Sequence, residues 1–180
     1  MSRKRPPDRI DLPRTSENEK RQLLSPPPGA AERGALAGRA WYRGYSKHKR
    51  HPHLWKLSPF QGYAPDRTFC EDAGFQVSDA PRIDYLLPRG IEAGLFGDLL
   101  NRGDPTMLWT IDDNGWIYEL RLTTPTQAEY HGYPMRPANA FGQKVIARFA
   151  EWLQTLPAKE LRARPELLRA LHAAEGRYSR

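Results

Sequence analysis

Glu119, Arg121 and His131 are the residues of this 180-residue chain whose types and spacing best suit a reaction. Glu119 and Arg121 stand two apart in Trp116-Ile117-Tyr118-Glu119-Leu120-Arg121-Leu122, and residues two apart on a strand share a face. His131 follows in Tyr130-His131-Gly132-Tyr133-Pro134, read as a turn. Breaking RNA without a metal needs a base for the 2′-hydroxyl, an acid for the leaving 5′-oxygen and a cation for the crowded phosphorane. Glu119, His131 and Arg121 suit those roles in that order. The same two charges also fit a plain surface ion pair, which contributes little to stability.

A second constellation is Ser46-Lys47-His48-Lys49-Arg50-His51-Pro52-His53. Its three cations and three imidazoles form a phosphate-seeking loop. Lys47, Lys49 and Arg50 are the candidate phosphate contacts, and His48 can supply a proton. Tyr45 and Trp55, with Tyr130 from the later run, are candidates to stack on bases. Zinc on His48, His51 and His53 matches no standard ligand spacing. A solvated basic loop without a specific ligand explains the run equally.

With those roles in place, the chain resembles the small metal-independent bacterial ribonuclease toxin domains of the barnase and colicin type. They present a carboxylate, basic residues and a histidine on an antiparallel sheet. The resemblance covers roles and one hairpin. It implies a cytoplasmic, cofactor-free hydrolase acting on RNA, accompanied by a neutralising protein partner. Trp41-Tyr42-Arg43-Gly44 carries a second resemblance, to the first strand of mono-ADP-ribosyltransferases. Gln127-Ala128-Glu129 matches their late Gln-x-Glu, while their Ser-Thr-Ser strand has no counterpart here. That likeness implies that Arg43 holds NAD and Glu129 acts as the catalytic carboxylate. A third reading has no catalysis and makes the protein an adaptor for nucleic acid or an acidic protein.

The elements that must position these groups are a hairpin, short helices and a basic arm. Met107-Leu108-Trp109-Thr110-Ile111 and Trp116-Ile117-Tyr118-Glu119-Leu120-Arg121-Leu122 flank Asp112-Asp113-Asn114-Gly115, a hairpin signal. Pairing Ile111 with Tyr118 or with Trp116 puts Met107, Trp109, Ile111, Trp116, Tyr118, Leu120 and Leu122 on one apolar face. Glu119 and Arg121 are then expected on the opposite, outer face.

Asn139 suits the cap of a helix running to Leu156, with Phe141, Val145, Phe149 and Trp152 inward and Pro157 as its stop. Ala40–Tyr45 reads as a first strand, Asp66–Gly74 as a short helix capped by Asp66, Arg82–Leu87 as a strand, and Ile91–Leu100 as a helix. The fold class expected is α+β, an antiparallel sheet packed against helices. Residues 1–37 read as a disordered basic Pro-rich arm, 38–156 as the globular domain and 157–180 as a helical extension.

Charge supports a polyanion partner. The net +7 divides into +9 over residues 1–60, −4 over 61–150 and +2 over 151–180. No apolar run is long enough for a transmembrane helix, and the start has no signal-peptide core, so a membrane is not expected. The lone Cys70 excludes an intrachain disulfide and fits a reducing cytoplasm. It reads as a small buried hydrophobe, or else as a thiol nucleophile beside His131 or His48. No phosphate-binding glycine loop or nucleophile elbow is present, which excludes P-loop and α/β-hydrolase chemistry.

Overall fold

The computed structural model describes residues 21–179. The first part of the expected arm, residues 1–20, lies outside the described residues. The fold is mixed α and β, built around a four-stranded sheet in the order β1-β6-β5-β4. Its strands are β1 (Trp41–Tyr42), β4 (Met107–Ile111), β5 (Ile117–Thr124) and β6 (Glu129–Pro134). The pairs β4·β5 and β5·β6 are antiparallel, and only the short β1 runs parallel to β6. A small separate hairpin joins β2 (Leu100–Asn101) to β3 (Asp104–Pro105).

Helices cover both faces. On one side α3 (Phe141–Thr155) and α5 (Pro165–Tyr178) bury Met107, Trp109, Ile111 and Ile117. On the other, α1 (Ala30–Ala37) and α2 (Ile83–Glu92) pack Leu36, Leu87 and Ile91 on Leu108, Leu120 and Tyr130. Asn139 does cap α3, its Oδ1 accepting from the Phe141 amide at 2.9 Å. Pro157 and Pro165 each start the next helix, α4 (Ala158–Ala163) and then α5.

The hairpin register differs from both expected ones. Ile111 pairs with Ile117, Trp109 with Glu119 and Met107 with Arg121. The cause is Asp112. Its carboxylate accepts from the amides of Asn114 and Trp116, and its own amide donates to the Trp116 carbonyl. That makes a five-residue loop, and one residue of slip exchanges the faces. Glu119 and Arg121 therefore lie on the same face as Met107, Trp109 and Ile111, while Tyr118, Leu120 and Leu122 point to the other. Both faces are covered, so alternation could not mark a solvent side.

Four further expectations are corrected. Residues 21–37, assigned to a disordered arm, carry α1 and a bridge between Leu23 and Gly97. Arg82–Leu87 is not a strand, because Ile83, Leu86, Leu87 and Ile91 recur at helical spacing and form the inner face of α2 despite Pro88. Ile91–Leu100 does not continue as a helix, because Gly94 turns the chain at φ +64°. Residues 157–179 are helical as expected but belong to the domain rather than extending it, because Leu167, Ala170, Ala174 and Tyr178 are part of the main core.

Candidate functional site

The run from Tyr130 to Pro134 is a strand rather than a turn, and this builds the site. β6 lies against β5 with His131 directly opposite Arg121 and Tyr133 opposite Glu119. Directly opposed residues share a face, so the four polar side chains form one patch beyond the apolar cover of α3. The turn Ser46–His48 then brings His48 over the edge of β6. Its ring stacks on Tyr133 at 4.2 Å between centroids and on His131 at 5.9 Å. Tyr45 meets His131 edge-on at 4.9 Å. Glu119, Arg121, His131 and His48 are thus brought together from two distant segments.

Glu119 is held by donors rather than left open to take a proton. It is fully buried, and donors occupy both oxygens. Oε2 takes Arg21 Nε at 2.5 Å and the Trp109 indole at 3.3 Å. Oε1 takes Arg121 Nε and Nη2 at 2.8 Å and a short bond from the Tyr133 hydroxyl. Burial alone would push its pKa up, but Arg21, Arg121 and the hydrogen bonds outweigh it and hold the carboxyl below its ordinary value. A carboxylate so enclosed is a brace. It aligns Arg121, whose Nε also donates to the Tyr133 hydroxyl at 2.9 Å. Among the described residues Arg121 Nη1 has no protein partner, and the side chain is 41% exposed. That leaves a braced guanidinium edge for an anion.

The imidazoles are the groups left able to move protons. His48 Nδ1 lies 3.0 Å from the Thr68 carbonyl, which can only accept. Neutral His48 therefore carries its proton on Nδ1, and Nε2 is the basic nitrogen. His131 Nδ1 hydrogen-bonds the Thr123 hydroxyl at 2.8 Å, which also leaves Nε2. Burial first, then neighbouring Arg121 and Lys47, lowers the His131 pKa to about 4. Burial likewise lowers that of His48 to about 4, with His131, Lys47 and Lys49 adding to it against the opposing Thr68 bond.

The phosphate and base contacts divide. Tyr45 remains 40% exposed beside His131 and Lys47 is half-buried near both imidazoles, so these two fit. Lys49 and Tyr130 do not. Lys49 is buried with its amine on Cys70 Sγ, and Tyr130 is buried on the far face with its hydroxyl on the Pro105 carbonyl. Trp55 is half-buried against Phe75, and Arg50 pairs with Asp72. Asp66 is not the cap of the turn Cys70–Ala73, which begins at Phe69, whose amide is taken by Asp72. His51 and His53 are exposed and apart from the buried His48, so no three-histidine zinc set forms. Among the described residues no group of three or more His, Cys, Asp or Glu converges on one point. Arg43 and Glu129 meet as an ion pair at 3.5 Å, with Glu129 buried.

Compared with known proteins, the chain matches no family model, no curated protein and no solved structure.

Sequence reasoning missed Arg21, which it placed in the arm, and gave Tyr133 no role. Tyr133 had a signal: at two residues from His131 it shares that face once β6 is a strand. Arg21 had none, because its contact spans 98 positions. A groove of about 730 Å³ runs from Arg21, Gln22 and Leu23 to Lys144, Arg148 and Glu151 on α3. It adjoins the patch through Arg21. Among the described residues no helix is long and apolar enough to cross a membrane.

Proposed function

We propose that this protein cleaves RNA without a metal, as a toxin-like ribonuclease, and that two histidines perform the proton transfers. The observation that carries the reading is the near-parallel pair of His48 and His131, 5.9 Å apart, with Arg121 directly across the strands from His131. His48 Nε2 takes the proton of the 2′-hydroxyl, and the freed oxygen attacks the adjacent phosphorus. Arg121 Nη1 holds the negative phosphoryl oxygens as charge builds on them. His131, protonated, gives its proton to the departing 5′-oxygen, leaving a 2′,3′-cyclic phosphate. Glu119 and Tyr133 keep Arg121 in place and touch no substrate. Tyr45 offers a ring for a base, and Lys47 adds positive charge near the phosphate. A ribonuclease of this kind needs a neutralising protein partner in the cell that makes it.

The test is digestion of RNA in EDTA, with DNA of the same sequence as control. Wild-type protein is expected to cut the RNA alone, and His48→Ala and His131→Ala each to lose two or more orders of magnitude of rate. Intact RNA with wild-type protein, or cutting that survives both substitutions, refutes the proposal.

A second reading keeps one observation, the contact of Arg43 with Glu129. Transfer of ADP-ribose from NAD would place ADP-ribose on a target protein, which intact-mass measurement detects. An unchanged target mass removes it.

A further inference from the structure

On the face of the sheet opposite the imidazoles, Lys49 and Cys70 form a buried pair outside the chemistry above. Each is 3% exposed, and Lys49 Nζ donates to Cys70 Sγ at 3.0 Å. The ammonium also lies 4.0 Å over the Trp55 ring. Among the described residues it makes no ion pair with a carboxylate, so sulfur is its closest lone-pair partner. A buried cation ordinarily has an anion beside it, and this one has a thiol.

A cavity of about 30 Å³ adjoins the pair, walled by Phe75, Ile83, Leu86, Leu87 and Leu120. That is room for one or two water-sized molecules. Two of the residues around it, Thr110 and Tyr118, carry buried hydroxyls, Thr110 Oγ1 and Tyr118 Oη, that have no hydrogen-bond partner among the described residues. They belong to directly opposed residues of β4 and β5. Unpartnered buried hydroxyls beside a cavity call for a small guest that both donates and accepts. Hydrogen peroxide has that size and both capacities, and the sulfur is at hand.

We propose that Cys70 and Lys49 are a peroxide-driven cross-linking site, closing to a covalent S–N bond. The sulfur attacks one peroxide oxygen, the O–O bond breaks, and the second oxygen leaves as water with the thiol proton. Sulfur is oxidised to a sulfenic acid and the peroxide is reduced. Lys49, its ammonium proton passed to water, then attacks that sulfur as the free amine. The S–N bond forms, the S–O bond breaks and a second water leaves. One thiol, one amine and one peroxide thus give one sulfenamide and two waters. A thiol reductant reverses the bond.

The consequence reaches the other face. Lys49 directly follows His48, so the bond fastens the turn Ser46–His48 to the turn Cys70–Ala73. The cross-link is independent of the ribonuclease reading, and its test does not use RNA. Full-length protein is treated with hydrogen peroxide, alkylated, digested and analysed by mass spectrometry. The expected product joins the Lys49 and Cys70 peptides, is two hydrogen atoms lighter than their sum, and disappears on reduction. Thr110→Val is expected to slow its formation. Lys49→Met should leave a sulfenic acid on Cys70 that a cyclic dione traps. Cys70 recovered as free thiol after peroxide, or oxidised to sulfinic or sulfonic acid while Lys49 remains free, overturns the proposal.

Discussion

Arg21 Nε lies 2.5 Å from Glu119 Oε2, and the two are 98 positions apart. The contact joins the segment before α1 to the middle strand of the antiparallel trio. It also completes the set of donors around a carboxylate that never meets solvent.

Glu119→Gln tests whether that carboxylate braces or reacts. The amide cannot neutralise two guanidinium groups, and Arg21 is itself only 8% exposed. Removing one partner of a buried ion pair typically costs about 3–5 kcal/mol. We expect a urea midpoint lowered by an amount of that order, and RNA cleavage reduced less than by His48→Ala. Unchanged stability with all activity lost would return Glu119 to the role of base.

The pH dependence of cleavage follows from the imidazoles. Productive free enzyme needs His48 neutral and His131 protonated, and both pKa values are lowered to about 4. The rings are close enough that the apparent values belong to the pair. For a short substrate, kcat/KM is expected to be bell-shaped with an acidic maximum near pH 4, falling about tenfold per pH unit on the alkaline side. Arg121→Gln removes a cation that depresses His131. It should move the alkaline limb upward even as it lowers the rate. A profile flat from pH 4 to 8 would exclude this pair as acid and base.

What could be read from the sequence was local. The hairpin, the Asn139 cap, the inward stripe of α3 and its stop at Pro157 follow from nearest neighbours along the chain. The face borne by Glu119 did not, because it turns on one residue of loop length, and the Asp112 side chain fixes that length through the amides of Asn114 and Trp116. His48 and His131 belong to two separate constellations of the sequence. Their meeting needs β6 as a strand, and Gly132 and Pro134 made that run look like a turn. Gly132 is instead where Leu120 packs against the backbone: a Cβ there would meet Leu120 Cδ2 at 2.6 Å.

Stability should also fall in acid, and the sign is fixed. His48 and His131 have folded pKa values near 4, below their ordinary 6.5. Between those values the unfolded chain binds more protons than the folded one. Their contribution is complete above pH 6.5 and is lost as pH falls through 4. For the buried His48 the full shift corresponds to roughly 3 kcal/mol. Glu119, held below its ordinary value, adds a loss in the same direction at lower pH. Urea midpoints at pH 7.5 and 4.5 should differ clearly, and His48→Gln should narrow the difference. Equal midpoints in the wild type would show that these rings are not shielded from protons.

The five-residue hairpin loop is held from outside as well as by Asp112. Gly115 has φ +77°, a conformation that L side chains rarely adopt, and a Cβ there would lie 2.3 Å from the Ala173 carbonyl carbon and 2.4 Å from the Ala174 nitrogen in α5. The nearest atoms are all backbone of that one peptide unit, so no flexible side chain is there to yield. Gly115→Ala must displace α5 or open the loop, so we expect a loss of at least about 2 kcal/mol from overpacking and backbone strain together. Because the loop length sets which face carries Glu119 and Arg121, the damage should reach the patch. RNA cleavage should fall in the fraction that remains folded, and Arg121 should lose the hydrogen bonds that align it. Gly176→Ala, in the same helix with open space at its Cβ, is the control expected to change neither. A Gly115→Ala protein as stable as wild type would mean that α5 does not clamp the loop.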